Sequence, residues 1–202
     1  MEKTELIVAT KNRGKMREIR DICKDIPVTL RSLEEIWPGM DNLPETGLTF
    51  EENAAMKAAW VFSRKQTWTL ADDSGLEVDA LGGEPGVFSS RYAGEPADDG
   101  KNVRKLLQKL DGIEPALRSA RFRCVLVLKG PGVKDIVVAG ACEGHITFEP
   151  RGNGGFGYDP VFIPAGHEKT FAEIDPAEKN RMSHRARALH ALKKELGERF
   201  SR

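Results

Sequence analysis

Leu6-Ile7-Val8-Ala9 is a short apolar run that feeds into the polar Thr10-Lys11-Asn12-Arg13-Gly14-Lys15, after which Met16, Ile19, Ile22 and Cys23 recur at helical spacing. A buried strand, a polar turn and an amphipathic helix in that order open an α/β fold. Residues 28–30 form a second β-type run, and Pro38, Gly39, Pro44 and Gly47 mark the first part of the stretch from Ser32 to Met56 as loop. Thr49-Phe50-Glu51-Glu52 has the form of a capping box, and it starts a helix through Phe50, Ala54, Ala58, Val61 and Phe62. Residues 68–71 read as a strand that ends on Asp72-Asp73-Ser74-Gly75, and Val103, Leu106, Leu107 and Leu110 mark another helix. Residues 122–128 and 136–142 are β-rich runs around Gly130-Pro131-Gly132, which predicts a hairpin. A hairpin among alternating strands and helices disfavours a wholly parallel sheet. The expectation is an α/β fold in which two lobes share a long mixed β-sheet flanked by helices, with the active site in the cleft between the lobes. The chain has 202 residues, and residues 1–202 are read as one such domain.

Composition removes several classes of function. Lys plus Arg number 31 and Asp plus Glu number 31, so no net positive charge draws the chain to a polyanion, and nucleic acid is not an expected partner. The longest apolar runs are far short of the roughly 20 residues of a membrane span. Met1 to Glu5 lead into too short an apolar stretch for a secretory signal, so a cytoplasmic location is expected. The odd, scattered cysteines Cys23, Cys124 and Cys142 read as reduced core residues. The histidines His145, His167, His184 and His190 lack zinc-site spacing.

Five segments carry chemistry. Thr10, Lys11, Asn12, Arg13, Gly14 and Lys15 place N–H groups, a hydroxyl, an amide and cations at a strand-to-helix turn, which suits a phosphate; an ordinary helix-capping turn is the plainer alternative. Asp72 and Asp73 neighbour each other on a strand and so diverge, one available to a metal and one to a water, unless they are a solvated turn. Their hard oxygens suit Mg²⁺, with Glu45 a candidate further ligand. Asn53 and Lys57 share one helix face, either to meet a triphosphate or as a surface pair. The loop Gly152 to Asp159 satisfies GxGxxG but precedes a strand, so a dinucleotide fold fails on context; Phe156 can instead offer an aromatic face to a base, or sit in the core. Ser183, His184 and Arg185 open a C-terminal helix with directed donors, while Arg187, Lys193, Lys194, Arg199 and Arg202 read as a solvated face. That helix is expected to end near Leu196 with Gly197 as its cap.

In this order, Ala9 to Lys15, Glu45-Thr46-Gly47-Leu48-Thr49-Phe50 with Glu52-Asn53-Ala54, Ala71 to Leu76, Gly82-Gly83 through Pro85-Gly86 to Ser90-Arg91-Tyr92, Gly154 to Pro160 and Ser183-His184-Arg185 make up most of the chain's motifs. Together they resemble the inosine triphosphatase family of nucleoside triphosphate pyrophosphatases, its bacterial dITP/XTP pyrophosphatases in particular. The resemblance implies Mg²⁺-dependent hydrolysis of non-standard purine triphosphates (dITP, ITP and XTP) to monophosphate and pyrophosphate, which keeps deaminated purines out of DNA and RNA. It implies that Thr10 to Lys15 bind the triphosphate, that Glu45 and Asp73 hold Mg²⁺, and that Asp73 is the proton acceptor. Ser74, Phe156, Gly157, Tyr158, Asp159, Lys179, His184 and Arg185 would then contact substrate, with His184 and Arg185 reading the 6-oxo group of the base. A homodimer is implied as well. The competing readings are a pyrimidine-preferring pyrophosphatase of related architecture and a non-catalytic nucleotide-binding module.

Overall fold

The computed structural model describes residues 4–41 and 43–200, without the side chains of residue 194 and residues 196–200. The expectations placed on Met1 to Lys3 and on the side chains of Lys194, Arg199 and Arg202 therefore lie outside the described residues. Six strands, β1 (Thr4–Ala9), β2 (Val28–Ser32), β3 (Trp68–Val78), β4 (Ser119–Lys129), β5 (Ile136–Ile146) and β6 (Phe162–Pro164), form one sheet in the order β2-β1-β3-β4-β5-β6. β1 is parallel to both β2 and β3, while β5 and β6 are antiparallel, so the sheet is mixed and the fold is α/β. The helices are α1 (Arg13–Ile22), α2 (Leu33–Ile36), α3 (Phe50–Lys65), α4 (Asp99–Lys109), α5 (Pro176–Met182) and α6 (His184–Phe200).

The chain divides into two compact units. The first comprises residues 1–73, 124–140 and 185–202, and the second residues 74–123 and 141–184. Each has its own core. In the first, Met16, Ile19 and Ile22 of α1 pack with Leu6 and Val8 of β1, Leu126 and Leu128 of β4, and Leu189 and Leu192 of α6. In the second, Leu76 and Val78 pack with Val103, Leu106 and Leu110 of α4 and with Phe122, Phe162 and Phe171. Alternation and helical spacing aim these residues inward, and each large side chain fully buried contributes roughly 1.5–3 kcal/mol.

Local signals account for most boundaries. Asn12 caps α1 by accepting from Lys15 N at 3.0 Å, and Thr49 caps α3 by accepting from Glu52 N at 3.1 Å. The capping box is not reciprocal, because Glu52 reaches Leu48 N at 2.7 Å instead. Asp175 caps α5 by accepting from Ala177 N at 2.8 Å, with Pro176 in the first helical position. Ser183, extended at ψ 160°, separates α5 from α6. Three expectations are corrected. Residues 33–36 are a helix with a reciprocal capping box at Ser32 and Glu35, where loop was expected. α6 runs through Gly197 to Phe200. Most consequentially, β3 does not stop at Asp72 and Asp73 but carries both in mid-strand.

Candidate active site

Two adjacent carboxylates can lie in a buried strand only if cations meet them, and here different cations meet each one. Strand alternation sends their side chains to opposite faces. Asp72 is 1% exposed. Its Oδ1 accepts from Lys15 Nζ at 2.6 Å and its Oδ2 from Arg185 Nε at 2.8 Å, and the Cys124 thiol also donates to Oδ2 at 3.2 Å. Burial alone would raise the Asp72 carboxyl, but Arg185 and Lys15 outweigh it and hold the group well below the usual carboxylate range. The Cys124 thiol is pushed up by burial and by Asp72, so it is an inert core thiol.

Asp73 has a different set of partners. Its Oδ1 accepts from Lys57 Nζ at 2.8 Å, and the same ammonium donates to Glu45 Oε1 at 2.9 Å and to the Asp72 carbonyl at 2.6 Å. These three bonds use all three ammonium donors. Asp73 Oδ2 is buried and has no hydrogen-bond partner among the described residues. Burial, only partly offset by Lys57 and Lys15, raises the Asp73 carboxyl above its ordinary value, whereas Asp73 and Glu45 together keep Lys57 protonated despite its burial. The structure thus brings together Glu45, Lys57 and Asp73. Asp72 faces other cations, its two oxygens accepting from Lys15 and Arg185. Lys57 likewise ties carboxylates together where a phosphate contact was expected. Among the described residues no group of three or more His, Cys, Asp and Glu is arranged to hold a metal ion.

The loop that supplies Glu45 is held down by α3. Asn53 is fully buried, its Oδ1 accepting from Gly47 N at 2.8 Å, while its Nδ2 has no partner among the described residues. Gly47 lies so close that a Cβ there would stand 2.7 Å from Glu52 Cβ and 2.9 Å from Asn53 Oδ1. Asn53 is therefore a loop anchor and not a surface residue.

Thr10 to Lys15 form the turn from β1 into α1. Thr10 Oγ1 accepts from Asn12 N at 3.2 Å, and Lys11 Nζ donates to the Met40 carbonyl. Lys11, Asn12 and Arg13 are exposed, and the first turn of α1 holds no acid. The first N–H groups of a helix lack intrahelical acceptors, and with Lys15 alongside they make an anion-accepting end.

The second unit holds the remaining expected residues. Asp159 Oδ2 accepts from Lys179 Nζ at 2.5 Å and from Phe156 N at 2.9 Å, pinning the glycine loop to α5. Gly155 (φ +73°) is required there, because a Cβ would fall 2.1 Å from that same oxygen. The Lys179 ammonium lies 4.8 Å from the centroid of half-buried Phe156 and 5.3 Å from that of Phe171. Gly157 N donates to Asp99 Oδ2 at 2.7 Å. Tyr158 is a core residue, its hydroxyl donating to the Ser89 carbonyl at 2.9 Å, and burial raises its pKa. His184 stacks on Phe122 with centroids 4.8 Å apart and planes 12° from parallel. Half-buried Ser74 begins the unit directly after Asp73.

Arg185 departs most from expectation. It is 1% exposed and belongs to the first unit, where it donates to Asp72 and, through Nη1, to Glu18 Oε2. Two of its donors face carboxylates, where a base oxygen was expected. Sequence reasoning missed Glu18, although the signal was present: it is an acid between Met16 and Ile19 on the buried side of α1, three residues from Lys15.

A model of the Ham1 family matches residues 6–195. A dITP/XTP pyrophosphatase of Halalkalibacterium halodurans is 50% identical over 192 residues, covering 95% of this chain and 98% of the relative. One of Bacillus subtilis is 50% identical over 192 residues, covering 95% and 96%. A HAM1 protein from Coxiella burnetii has a similar solved structure, with a TM-score of 0.86, 41% identity and coverage of 96% of this chain and 99% of that one.

Proposed function

We propose, from the premise that the chain belongs to the Ham1 family, that it hydrolyses dITP, ITP and XTP to the nucleoside monophosphate and pyrophosphate. The observation that carries this reading is Asp73, a buried carboxylate with Oδ1 fixed by Lys57 and Oδ2 left open. Water attacks the α-phosphorus, the bond from that phosphorus to the bridging oxygen breaks, and the proton lost by the water passes to Asp73 Oδ2. Pyrophosphate leaves toward Lys15 and the N-terminal N–H groups of α1, which offset its charge. A general base of this kind contributes about 10²- to 10⁴-fold in rate.

Glu45 and Asp73 are the residues that would hold a divalent cation, Mg²⁺ in this reading. Their fit rests on the chemistry of the donor set, two hard carboxylate oxygens brought to one ammonium. When bound, such a cation neutralises phosphate charge and polarises the reacting phosphoryl group. Lys57 keeps the two carboxylates in place beside it.

The base belongs with the second unit. Phe156 offers a flat face, and Lys179, which has donors only, suits a 6-oxo group and mismatches the 6-amino group of adenine. In the cell this activity removes deaminated purines from the nucleotide pool, and we place it in the cytoplasm and in a homodimer. No helix among the described residues is long and apolar enough to cross a membrane.

A triphosphate panel assayed with Mg²⁺, and again with chelator, tests the reading. It should show pyrophosphate from dITP, ITP and XTP, poor turnover of ATP and GTP, and no turnover with chelator. A preference for pyrimidine triphosphates, or binding without turnover, would replace it with one of the two competing readings.

A further inference from the structure

The glycine loop of the second unit is tied to α4 by a carboxylate that the reaction as described does not use. Phe156 has a glycine on each side, Gly155 at φ +73° and Gly157 at φ +61°. Neither neighbour has a side chain to restrict the backbone, so its direction is set by hydrogen bonds to the peptide groups. Two peptide planes meet at the Phe156 Cα. The one before it donates through Phe156 N to Asp159 Oδ2 at 2.9 Å. The one after it accepts at the Phe156 carbonyl from Asp159 N at 3.2 Å and donates through Gly157 N to Asp99 Oδ2 at 2.7 Å. Both Asp159 contacts come from the end of the loop itself, whereas Asp99 comes from 58 residues away. It is the first residue of α4, whose Val103, Leu106 and Leu110 are packed in the core of the same unit. The cap of α4 is Asp98, which accepts from Lys101 N at 2.8 Å, so the Asp99 carboxylate is not engaged in capping its own helix.

We propose that Asp99 is a positioning residue for the base: by holding the Gly157 N–H it fixes the peptide plane after Phe156 against α4, and so aims the Phe156 ring at the purine. The two planes on either side of a residue set its φ and ψ, and those angles set the direction in which its side chain leaves the backbone. A carboxylate accepting from a backbone N–H at 2.7 Å makes a short, charge-assisted bond, stronger than the neutral one at 3.2 Å on the carbonyl of the same plane. Stacking on a flat base depends on the angle and offset at which the ring is presented, so a backbone tie of this kind bears on affinity for the base. Asp99 acts through Phe156, not by touching the triphosphate. This inference rests on the reading of Phe156 as the face on which the base stacks.

A double-mutant cycle between Asp99 and Phe156 tests it, using dITP kinetics with Mg²⁺ and inorganic pyrophosphate as inhibitor. Asp99→Ala should raise KM for dITP by about tenfold, the scale of one hydrogen bond to a charged group, with a smaller change in kcat. Pyrophosphate has no base, so it should inhibit Asp99→Ala as it inhibits the wild type. Asp99→Asn keeps an acceptor oxygen in the same place and should recover most of the loss. In a Phe156→Ala background, Asp99→Ala should add less than about twofold. Val103→Ala, which thins the core face of the same helix, should lower the unfolding midpoint and leave KM as it is. An unchanged KM in Asp99→Ala, an equal rise with and without Phe156, an equal weakening of pyrophosphate, or the same rise in Val103→Ala would overturn the positioning role. If Phe156→Ala alone leaves KM unchanged, the base reading of Phe156 fails and the role of Asp99 falls with it.

Discussion

Asp73→Asn should give a folded protein whose kcat for dITP is lower by about 10²- to 10⁴-fold, the range expected when a positioned general base is lost. Asn has nearly the same volume, and its side-chain oxygen can still accept from Lys57, which keeps Glu45 and the Asp72 carbonyl as further partners. The midpoint of thermal unfolding should therefore stay within a few degrees of the wild type. Asn cannot accept the proton of the attacking water, and it removes one of the two charges proposed to hold the divalent cation. Circular dichroism and a pyrophosphate-release assay on the same preparation check both halves. Turnover within a few-fold of the wild type in the folded variant would contradict the assignment.

Its neighbour should behave in the opposite way. Asp72→Asn should lower stability by about 3 kcal/mol, at the lower end of what removing one partner of a buried pair costs. The lower end applies because Arg185 keeps Glu18 and Lys15 can turn toward solvent. For a chain of this length the unfolding midpoint should fall by on the order of 10 °C. The pH dependence has a definite sign. The folded-state pKa of Asp72 is depressed below its ordinary 3.8, so its ionised form contributes stability above that value and loses it as the pH falls through the depressed one. Urea unfolding of wild type and variant between neutral pH and pH 3 should show the gap narrowing only at the acid end. A gap that is constant with pH, or absent, would remove Asp72 from its place between Arg185 and Lys15.

The contrast between these two residues shows where the sequence was legible and where it was not. Local patterns suffice for β1, α1, α3, α4 and the hairpin of β4 and β5, because caps, glycine turns and apolar spacing are properties of short windows. Asp72-Asp73-Ser74-Gly75 reads as a turn in such a window, since the cations that let it continue as strand are Lys15, Lys57 and Arg185, 15 to 113 residues away. For the same reason, adjacent His184 and Arg185 read as a pair, yet His184 stacks on Phe122 in the second unit while Arg185 pairs with Asp72 and Glu18 in the first. Glu45, Lys57 and Asp73 were each legible as residue types. What the sequence could not give was that Lys57 binds both carboxylates, because that depends on the register of β3 against α3. The end of α6 was misjudged at Gly197, where a helix that already has a packed face continues through one glycine at a cost of only about 1 kcal/mol.

In the proposed reaction, water is delivered by Asp73 to the α-phosphorus and pyrophosphate departs intact. Hydrolysis of dITP in water enriched in oxygen-18, with both products weighed by mass spectrometry, tests this directly. One heavy oxygen should appear in the monophosphate and none in the pyrophosphate. Label in the pyrophosphate would place the attack on the β-phosphorus and rule out attack on the α-phosphorus.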